Sequence, residues 1–158
     1  MSKPPRKTSR AKKPQPVLEA SFLDSLIGFN LRLAETVLYR DFAATMGRFD
    51  LTQRQSAVLI LIGANPAISQ TGLARFLDTD RATMMAMIDR LQDRGLIERR
   101  TANGDRRAQA LFLTAEGEKT CADLKRSIRA HERPFVGRYS PKELDTLIAL
   151  LSRLHGKF

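Results

Sequence analysis

The spacing of apolar and polar positions predicts a chain built mainly from helices, and the clearest signal lies between residues 80 and 92. Met84, Met87, Ile88 and Leu91 recur with the 3.6-residue period of a helix and would form one apolar face. Asp80 precedes this run, and a short acidic side chain there is suited to cap the first turn. We therefore expect a helix that begins after Asp80 and buries this stripe.

A shorter helix is predicted directly before it. Ser69 is the expected N-cap, and Leu73, Phe76 and Leu77 would form its buried edge. The connection to the next helix, residues 78–79, is very short. Two helices joined so closely must cross at a steep angle, which is the geometry of a helix-turn-helix.

A two-stranded hairpin is predicted to follow. Residues 96–100 lead into a strand, and residues 108–113 supply the return strand. The dipeptide Asn103-Gly104 between them favours a tight turn because both residues tolerate positive φ. The tip, residues 101–107, carries several arginines, and a basic tip suits the concentrated negative potential of a narrow minor groove.

The remaining segments predict further helices. Residues 21–46 form one long helix candidate that is apolar on more than one side, and residues 51–66 predict a central, almost wholly apolar helix. Thr114 is expected to cap a helix that Pro134 ends, and residues 140–143 form a capping box for the last helix. Surplus apolar surface on the terminal helices suggests a bundle between two protomers; the alternative is packing within one chain.

The predicted fold class is therefore mainly α with a small β-hairpin wing, a winged helix-turn-helix with N- and C-terminal dimerisation helices. The expected segments are a disordered basic tail at 1–16, an N-terminal dimerisation helix at 17–48, a DNA-binding domain at 49–114 and C-terminal dimerisation helices at 115–158.

Charge points to an anionic partner. The net charge is +10 and the isoelectric point is about 10.5. Residues 1–16 hold four prolines and six of the cations, with no acidic residue before Glu19. They would be either a mobile arm that contacts phosphates or a solubilising tail. We expect no secretory signal and no membrane span, and a cytoplasmic location agrees with the single cysteine.

The face of the residue 81–93 helix opposite its apolar stripe is small and weakly polar at its centre. A solvated helix would be expected to place Lys and Glu there, whereas a helix that lies in a major groove needs short side chains and a few long donors. This pattern predicts recognition of double-stranded DNA. The face consists of Arg81, Ala82, Thr83, Met85, Ala86, Asp89 and Arg90.

The run LARFLDTDRATMMAMIDRLQDRGLIERR, followed by DRRAQALFLTAEG, resembles the MarR family of winged-helix transcriptional regulators over residues 21–155. The resemblance implies a homodimer that binds a pseudo-palindromic operator and is released by a small, often aromatic ligand or by thiol oxidation. It implies that Arg107 enters the minor groove and that Asp105 orients it. Arg81, Thr83, Met85 and Ala86 match base-reading positions, with Met85 and Ala86 where Thr and Arg often occur. The complete predicted DNA-binding set is Ser69, Gln70, Thr71, Arg81, Thr83, Met85, Ala86, Arg90, Asn103, Asp105, Arg106 and Arg107.

A ligand site is a further hypothesis. Aromatic and methionine side chains cluster where the first long helix meets the central one, and nearby arginines could anchor a small aromatic acid or an acyl-CoA. The alternative is that these are ordinary core and surface residues. The predicted set is Arg32, Tyr39, Arg40, Phe42, Met46 and Phe49.

Catalysis finds little support in the sequence. His131 and His155 are expected at helix ends, and no triad or acid-base pair is evident. Cys121 is the sole cysteine and is expected to be buried, so we expect no catalytic residue, metal or cofactor. Three functions stay open: a ligand-responsive dimeric repressor or activator, a sequence-nonspecific architectural DNA-binding protein, and a winged-helix protein-interaction adaptor.

Overall fold

Helices dominate the structure, a computed structural model that describes residues 19–102 and 105–156. A 3₁₀ turn at Gly47–Phe49 follows the second helix. The helices are α1 Ser21–Asp24, α2 Ile27–Met46, α3 Gln53–Ala64, α4 Gln70–Phe76, α5 Arg81–Asp93, α6 Ala115–Val136 and α7 Pro141–His155, and the strands are β1 Ile68–Ser69, β2 Ile97–Ala102 and β3 Asp105–Leu113.

Helix α3 is central to the core, as its apolar sequence predicted. A capping box starts it: Thr52 Oγ1 accepts a hydrogen bond from the Gln55 backbone N–H at 3.2 Å, and Gln55 Oε1 accepts one from the Thr52 N–H at 2.9 Å. Val58, Leu59 and Ile62 are buried and belong to the same apolar cluster as the stripe of α5. This cluster holds the helix-turn-helix in place.

The sheet has three antiparallel strands in the order β1-β3-β2, where the sequence predicted two. The additional strand β1 pairs Ile68 with Leu111 and Ser69 with Ala110. A strand of two residues is too short to show a period in the sequence, which is why it was missed. It ties the start of α4 to the hairpin.

The prediction of one unbroken helix over residues 21–46 is wrong. The helix is interrupted at Ser25 and Leu26, which separate α1 from α2. The Asn30 side-chain amide donates to the Asp24 carbonyl at 2.8 Å and to the Leu26 carbonyl at 2.9 Å. Because these side-chain bonds satisfy backbone carbonyls locally, they stabilise the interruption.

The C-terminal helices begin as predicted, but the first does not end as predicted. Thr114 Oγ1 caps α6 through the Gly117 N–H at 3.0 Å, and Ser140 caps α7 in a capping box with Glu143. Pro134 lies inside α6, which continues to Val136. A proline this close to the end of a helix removes one backbone hydrogen bond without preventing the last turn.

The chain divides into two compact units, residues 1–37 and 38–158. In the first unit, α1 has no buried residue, and α1 and the beginning of α2 expose Phe22, Leu23, Ile27, Leu33 and Val37. In the second unit, α7 has no buried residue and exposes Leu147, Ile148, Leu150 and Leu154. That segments 17–48 and 115–158 serve dimerisation stays a prediction, and the predicted tail at 1–16 lies outside the described residues.

Candidate DNA-binding surface

The helix-turn-helix is formed by α4 and α5. Ser69 Oγ accepts a hydrogen bond from the Gly72 N–H at 3.1 Å and so caps α4 as predicted. Leu73 is buried, but Phe76 is 45% exposed, which corrects its placement in the core. The helix ends at Phe76, and Asp78 turns the chain toward α5 with a positive φ of 48°.

Asp80 caps the recognition helix α5 as predicted. Its carboxylate accepts hydrogen bonds from the Thr83 N–H at 2.8 Å and from the Thr83 hydroxyl at 2.6 Å. Both bonds lower the pKa of Asp80 below its ordinary value, and the bond from the hydroxyl has the larger effect. The Asp80 carboxylate therefore stays negatively charged at neutral pH. The Thr83 hydroxyl is already engaged as a donor to it.

The two faces of α5 separate as the sequence predicted. Met84, Met87, Ile88 and Leu91 are buried. The opposite face is exposed, and Met85 at its centre is 51% exposed. The exposed residues of this face are Arg81, Ala82, Thr83, Met85, Ala86 and Arg90. Of the predicted residues at the start of α4, Ser69 and Thr71 are also exposed and Gln70 is partly buried.

Strands β2 and β3 form the wing. They pair from Ile97 opposite Leu113 to Ala102 opposite Asp105, with an irregularity after Thr101. The return strand β3 thus begins at Asp105, three residues before the predicted Ala108. Asn103 lies outside the described residues, and the DNA contacts predicted for Asp105, Arg106 and Arg107 stay predictions.

Arg99 joins the wing to the recognition helix. Its guanidinium forms an ion pair with Asp89 of α5 and donates a hydrogen bond to Gln92 Oε1 at 2.6 Å. The Arg99 side chain is 21% exposed. Sequence reasoning missed this link because the two residues belong to different elements and no spacing rule relates them.

The neighbouring Arg100 stays within the hairpin. It donates to Glu98 through Nε at 2.9 Å, and its guanidinium lies 4.4 Å from the centre of the Phe112 ring. Arg99 and Arg100 are adjacent on one strand, but Arg99 links the hairpin to α5, whereas Arg100 contacts Glu98 and Phe112 within the hairpin.

A cavity of about 610 Å³ lies beside the recognition helix. Tyr39, Phe42 and Met46, three of the residues predicted for a ligand site, line one part of it. Arg90 and Arg94 line another, and Arg94 also donates to the backbone carbonyls of residues 50 and 49 at 2.6 and 2.8 Å.

The other predicted ligand residues are placed differently. Arg40 is exposed and Phe49 packs partly buried against the core, and neither lines the cavity. Arg32 belongs to the unit of residues 1–37. The cations at the cavity are thus supplied by α5 and its C-cap, which sequence spacing does not bring near Tyr39.

Comparison with known proteins places this arrangement in a family. The model of the MarR family matches residues 49–108. A Thauera aromatica protein named as a transcriptional regulatory protein for the hcr operon is 34% identical over 130 residues, which is 82% of this chain and 78% of that protein.

This chain belongs to the MarR family. It is a transcriptional regulator with a DNA-binding winged helix, and the resemblance found in the sequence is confirmed. Among solved structures it is similar to the transcriptional repressor CouR bound to a 23-mer DNA duplex, with 32% identity, a TM-score of 0.82, and coverage of 89% of this chain and 99% of that chain. It is also similar to CouR bound to p-coumaroyl-CoA, with 30% identity, a TM-score of 0.76, and coverage of 90% and 100%.

Cys121 and His131, two residues of this MarR-family chain whose side chains could take part in redox or acid-base chemistry, are both buried. Cys121 is buried as predicted, and burial raises the pKa of its thiol while the charge of Lys125 opposes that rise. His131 lies inside α6 rather than at its end, which corrects the sequence-based placement; its Nε2 is 3.2 Å from the Leu38 carbonyl, and its ring contacts that of Phe42.

Within residues 19–102 and 105–156, no group of three or more His, Cys, Asp or Glu side chains is arranged to hold a metal ion. None of the helices described there is long and apolar enough to cross a bilayer.

Proposed function

We propose that this protein is a dimeric repressor that binds a pseudo-palindromic operator, with α5 of each protomer in the major groove and each wing in the adjacent minor groove. The observation that carries the proposal is the exposed face of α5, which has small side chains at its centre and Arg81 and Arg90 toward its ends, beside a hairpin tied to it by Arg99. The similarity to CouR, a repressor described as bound to a DNA duplex, supports the same use of the surface.

Dimerisation is supported by the apolar surface of the terminal helices. Phe22, Ile27 and Val37 in one unit and Ile148 and Leu154 in the other are each more than half exposed. Several large apolar side chains exposed on one helix are typical of an interaction site. A second copy of the chain is the partner that operator binding favours. Two symmetry-related recognition helices double the contact area with DNA and select half-sites about one turn of DNA apart.

Operator binding is tested by selecting duplexes from a random pool with the purified full chain, followed by footprinting and sedimentation. The expected result is a two-fold symmetric consensus, a footprint of defined length and a dimer at micromolar concentration. A monomer without preference among random duplexes would contradict the proposal. Uniform coating of DNA would identify an architectural protein, and unchanged activity in Arg107→Ala would favour a protein-interaction adaptor.

The cavity is proposed as the effector site. Its volume of about 610 Å³ lies within the range of roughly 300–1,000 Å³ typical of small-molecule sites. Tyr39, Phe42 and Met46 supply an apolar wall, and Arg90 and Arg94 supply positive charge beside the carboxylates of Asp50 and Asp93. This combination suits an aromatic acid or its acyl-CoA thioester, and the CouR structure bound to p-coumaroyl-CoA supports that class.

Such a ligand releases DNA if it binds the DNA-free conformation more tightly, because a ligand with equal affinity for both states shifts nothing. The test is a titration of p-coumaroyl-CoA and p-coumaric acid into the operator complex. Tyr39→Ala should raise the ligand concentration needed for release. Tyr139→Ala is the matched control, because Tyr139 is also exposed but does not line the cavity. Absence of release across a broad panel of aromatic acids and thioesters would contradict this assignment.

A further inference from the structure

The centre of the recognition surface offers no unengaged hydrogen-bond donor on its side chains. Within residues 82–89, all of which the structure describes, the exposed side chains other than Thr83 are Ala82, Met85 and Ala86. The Thr83 hydroxyl already donates to Asp80, and the partly buried Asp89 is paired with Arg99.

The available donors on this face are at its two ends. Arg81 and Arg90 are nine positions apart, which is about 13 Å along a helix. Nine positions also correspond to half a turn around the axis, so Arg81 and Arg90 lie on opposite flanks of the helix, and between them the residues from Ala82 to Asp89 present no unengaged side-chain donor. Hydrogen-bond readout, which a typical recognition helix performs with Arg, Asn or Gln, is not provided there.

A base edge in the major groove also carries one apolar group, the C5-methyl of thymine. Met85 is the longest side chain at the centre of the face and is 51% exposed. A thioether side chain is flexible and polarisable, so it can settle on a methyl group without a fixed geometry. Ala82 lies one helical turn before Met85, and Ala86 follows it directly. Because both side chains are small, they leave room for the base pair to approach.

We propose that Met85 is a specificity-determining residue that recognises a thymine C5-methyl group in each operator half-site. The inference rests on the proposed operator binding and adds the chemistry of its central position. The protein thus distinguishes T from C at that position by apolar contact rather than by a hydrogen bond.

The test uses the full chain and a duplex chosen by selection from a random pool. Each thymine of the half-sites is replaced in turn by deoxyuridine, which removes the methyl group and leaves base pairing intact. At one position per half-site we expect binding to weaken by about threefold to fivefold, the effect of one buried methyl group. The same replacement outside the footprint is the control and should have no effect.

Met85→Ala should bind the thymine and deoxyuridine duplexes equally, whereas Met85→Leu should keep most of the discrimination. Because Met85 is exposed, neither variant removes a core contact, and thermal unfolding verifies that both are folded. Exchanging the T·A pair for C·G should weaken binding, and 5-methylcytosine should restore part of it.

The outcomes separate the two proposals. If the protein selects a consensus but no thymine methyl group matters, or if Met85→Ala discriminates as well as the wild type, this inference is wrong and operator binding stands. If no consensus emerges at all, both are wrong.

Discussion

Arg99 of β2 and Asp89 of α5 form an ion pair that joins the wing to the recognition helix. Arg99 also donates a hydrogen bond to Gln92, one turn further along α5. Two side-chain contacts from one guanidinium fix its direction more firmly than a single exposed pair would. The spacing between the wing and α5 is therefore held by side chains as well as by the backbone.

Arg99→Ala should loosen that spacing. We expect a loss of about 1 kcal/mol in the free energy of unfolding, which lowers the melting temperature by about 2–4 °C in a chain of this size. Hydroxyl-radical footprinting at saturating protein should show weaker protection of the minor-groove sugars, while protection of guanine N7 from dimethyl sulfate in the major groove is retained.

Arg100→Ala is the matched control. It removes the same charge from the same strand, but the partners of Arg100, Glu98 and Phe112, belong to the hairpin itself. Equal changes in footprint for Arg99→Ala and Arg100→Ala would show that charge alone matters and that the link to Asp89 does not.

Arg81→Ala and Arg107→Ala should each weaken specific binding by about 1–3 kcal/mol if these residues read bases or groove shape. Affinity for scrambled duplexes should fall less. The measurement is the dissociation constant for selected and scrambled duplexes at one salt concentration. Arg126→Ala removes a cation that pairs with Asp123 on α6 and should change neither value.

Removal of residues 1–16 should act on all DNA sequences alike. Six cations lie in this segment, and each phosphate contact contributes about 0.9 to the slope of log affinity against log salt. The slope should therefore become shallower by up to about five for each protomer of the bound dimer, while the preferred sequence is unchanged. A changed consensus would contradict a purely electrostatic role.

The sequence predicted those parts of the fold that depend on local chemistry. The caps at Ser69, Asp80 and Thr114 are confirmed because each is a short-range bond between a side chain and a nearby backbone N–H. The stripe of α5 is confirmed because helical periodicity defines a buried face whatever covers it.

Other features could not be predicted because they depend on distant partners. Strand β1 exists because Ile68 meets Leu111, and the ion pair of Arg99 requires that the hairpin fold back onto α5. Phe76 fits the helical period but is the exposed last residue of α4, and the following Leu77 packs against the core instead. The cations of the cavity were missed because Arg94 reaches it only through tertiary packing.

Gly117→Ala should be strongly destabilising. A Cβ at this position would lie 1.8 Å from the Leu96 carbonyl oxygen and 2.9 Å from its carbon, which are backbone atoms that cannot rotate away. We expect a loss of about 3 kcal/mol, at the upper end for overpacking, measured by urea unfolding. Gly28→Ala is the control, because a Cβ there meets nothing within 4 Å; it should be neutral or stabilising by up to ~1 kcal/mol.

Cys121 should be unreactive in the folded protein. Burial raises the pKa of its thiol above the ordinary value of 9.0, so little thiolate forms at neutral pH. Modification by a disulfide reagent should require unfolding, and peroxide should leave DNA binding unchanged. Loss of DNA binding on peroxide treatment, absent in Cys121→Ser, would contradict this.

The same shift predicts a pH dependence of stability. Because the folded state holds the thiol proton more tightly than the unfolded state, the stabilisation is complete below the ordinary thiol pKa and is lost as pH rises through the folded value. Above pH 9.0, the wild type should lose stability more steeply than Cys121→Ala. Parallel curves for the two proteins would show that this thiol does not contribute.

Arg94 is the C-cap of α5 and donates hydrogen bonds to the backbone carbonyls of Phe49 and Asp50. Because Arg90 and Arg94 line the cavity, α5 forms part of the cavity wall. A small molecule in that space and a DNA duplex would therefore both contact α5, and Arg90 belongs to both surfaces. Thermodynamic reciprocity then requires that the operator expel the small molecule as strongly as the small molecule expels the operator. Excess operator duplex should thus raise the inducer concentration needed to half-fill the cavity, by the same factor by which saturating inducer weakens operator binding.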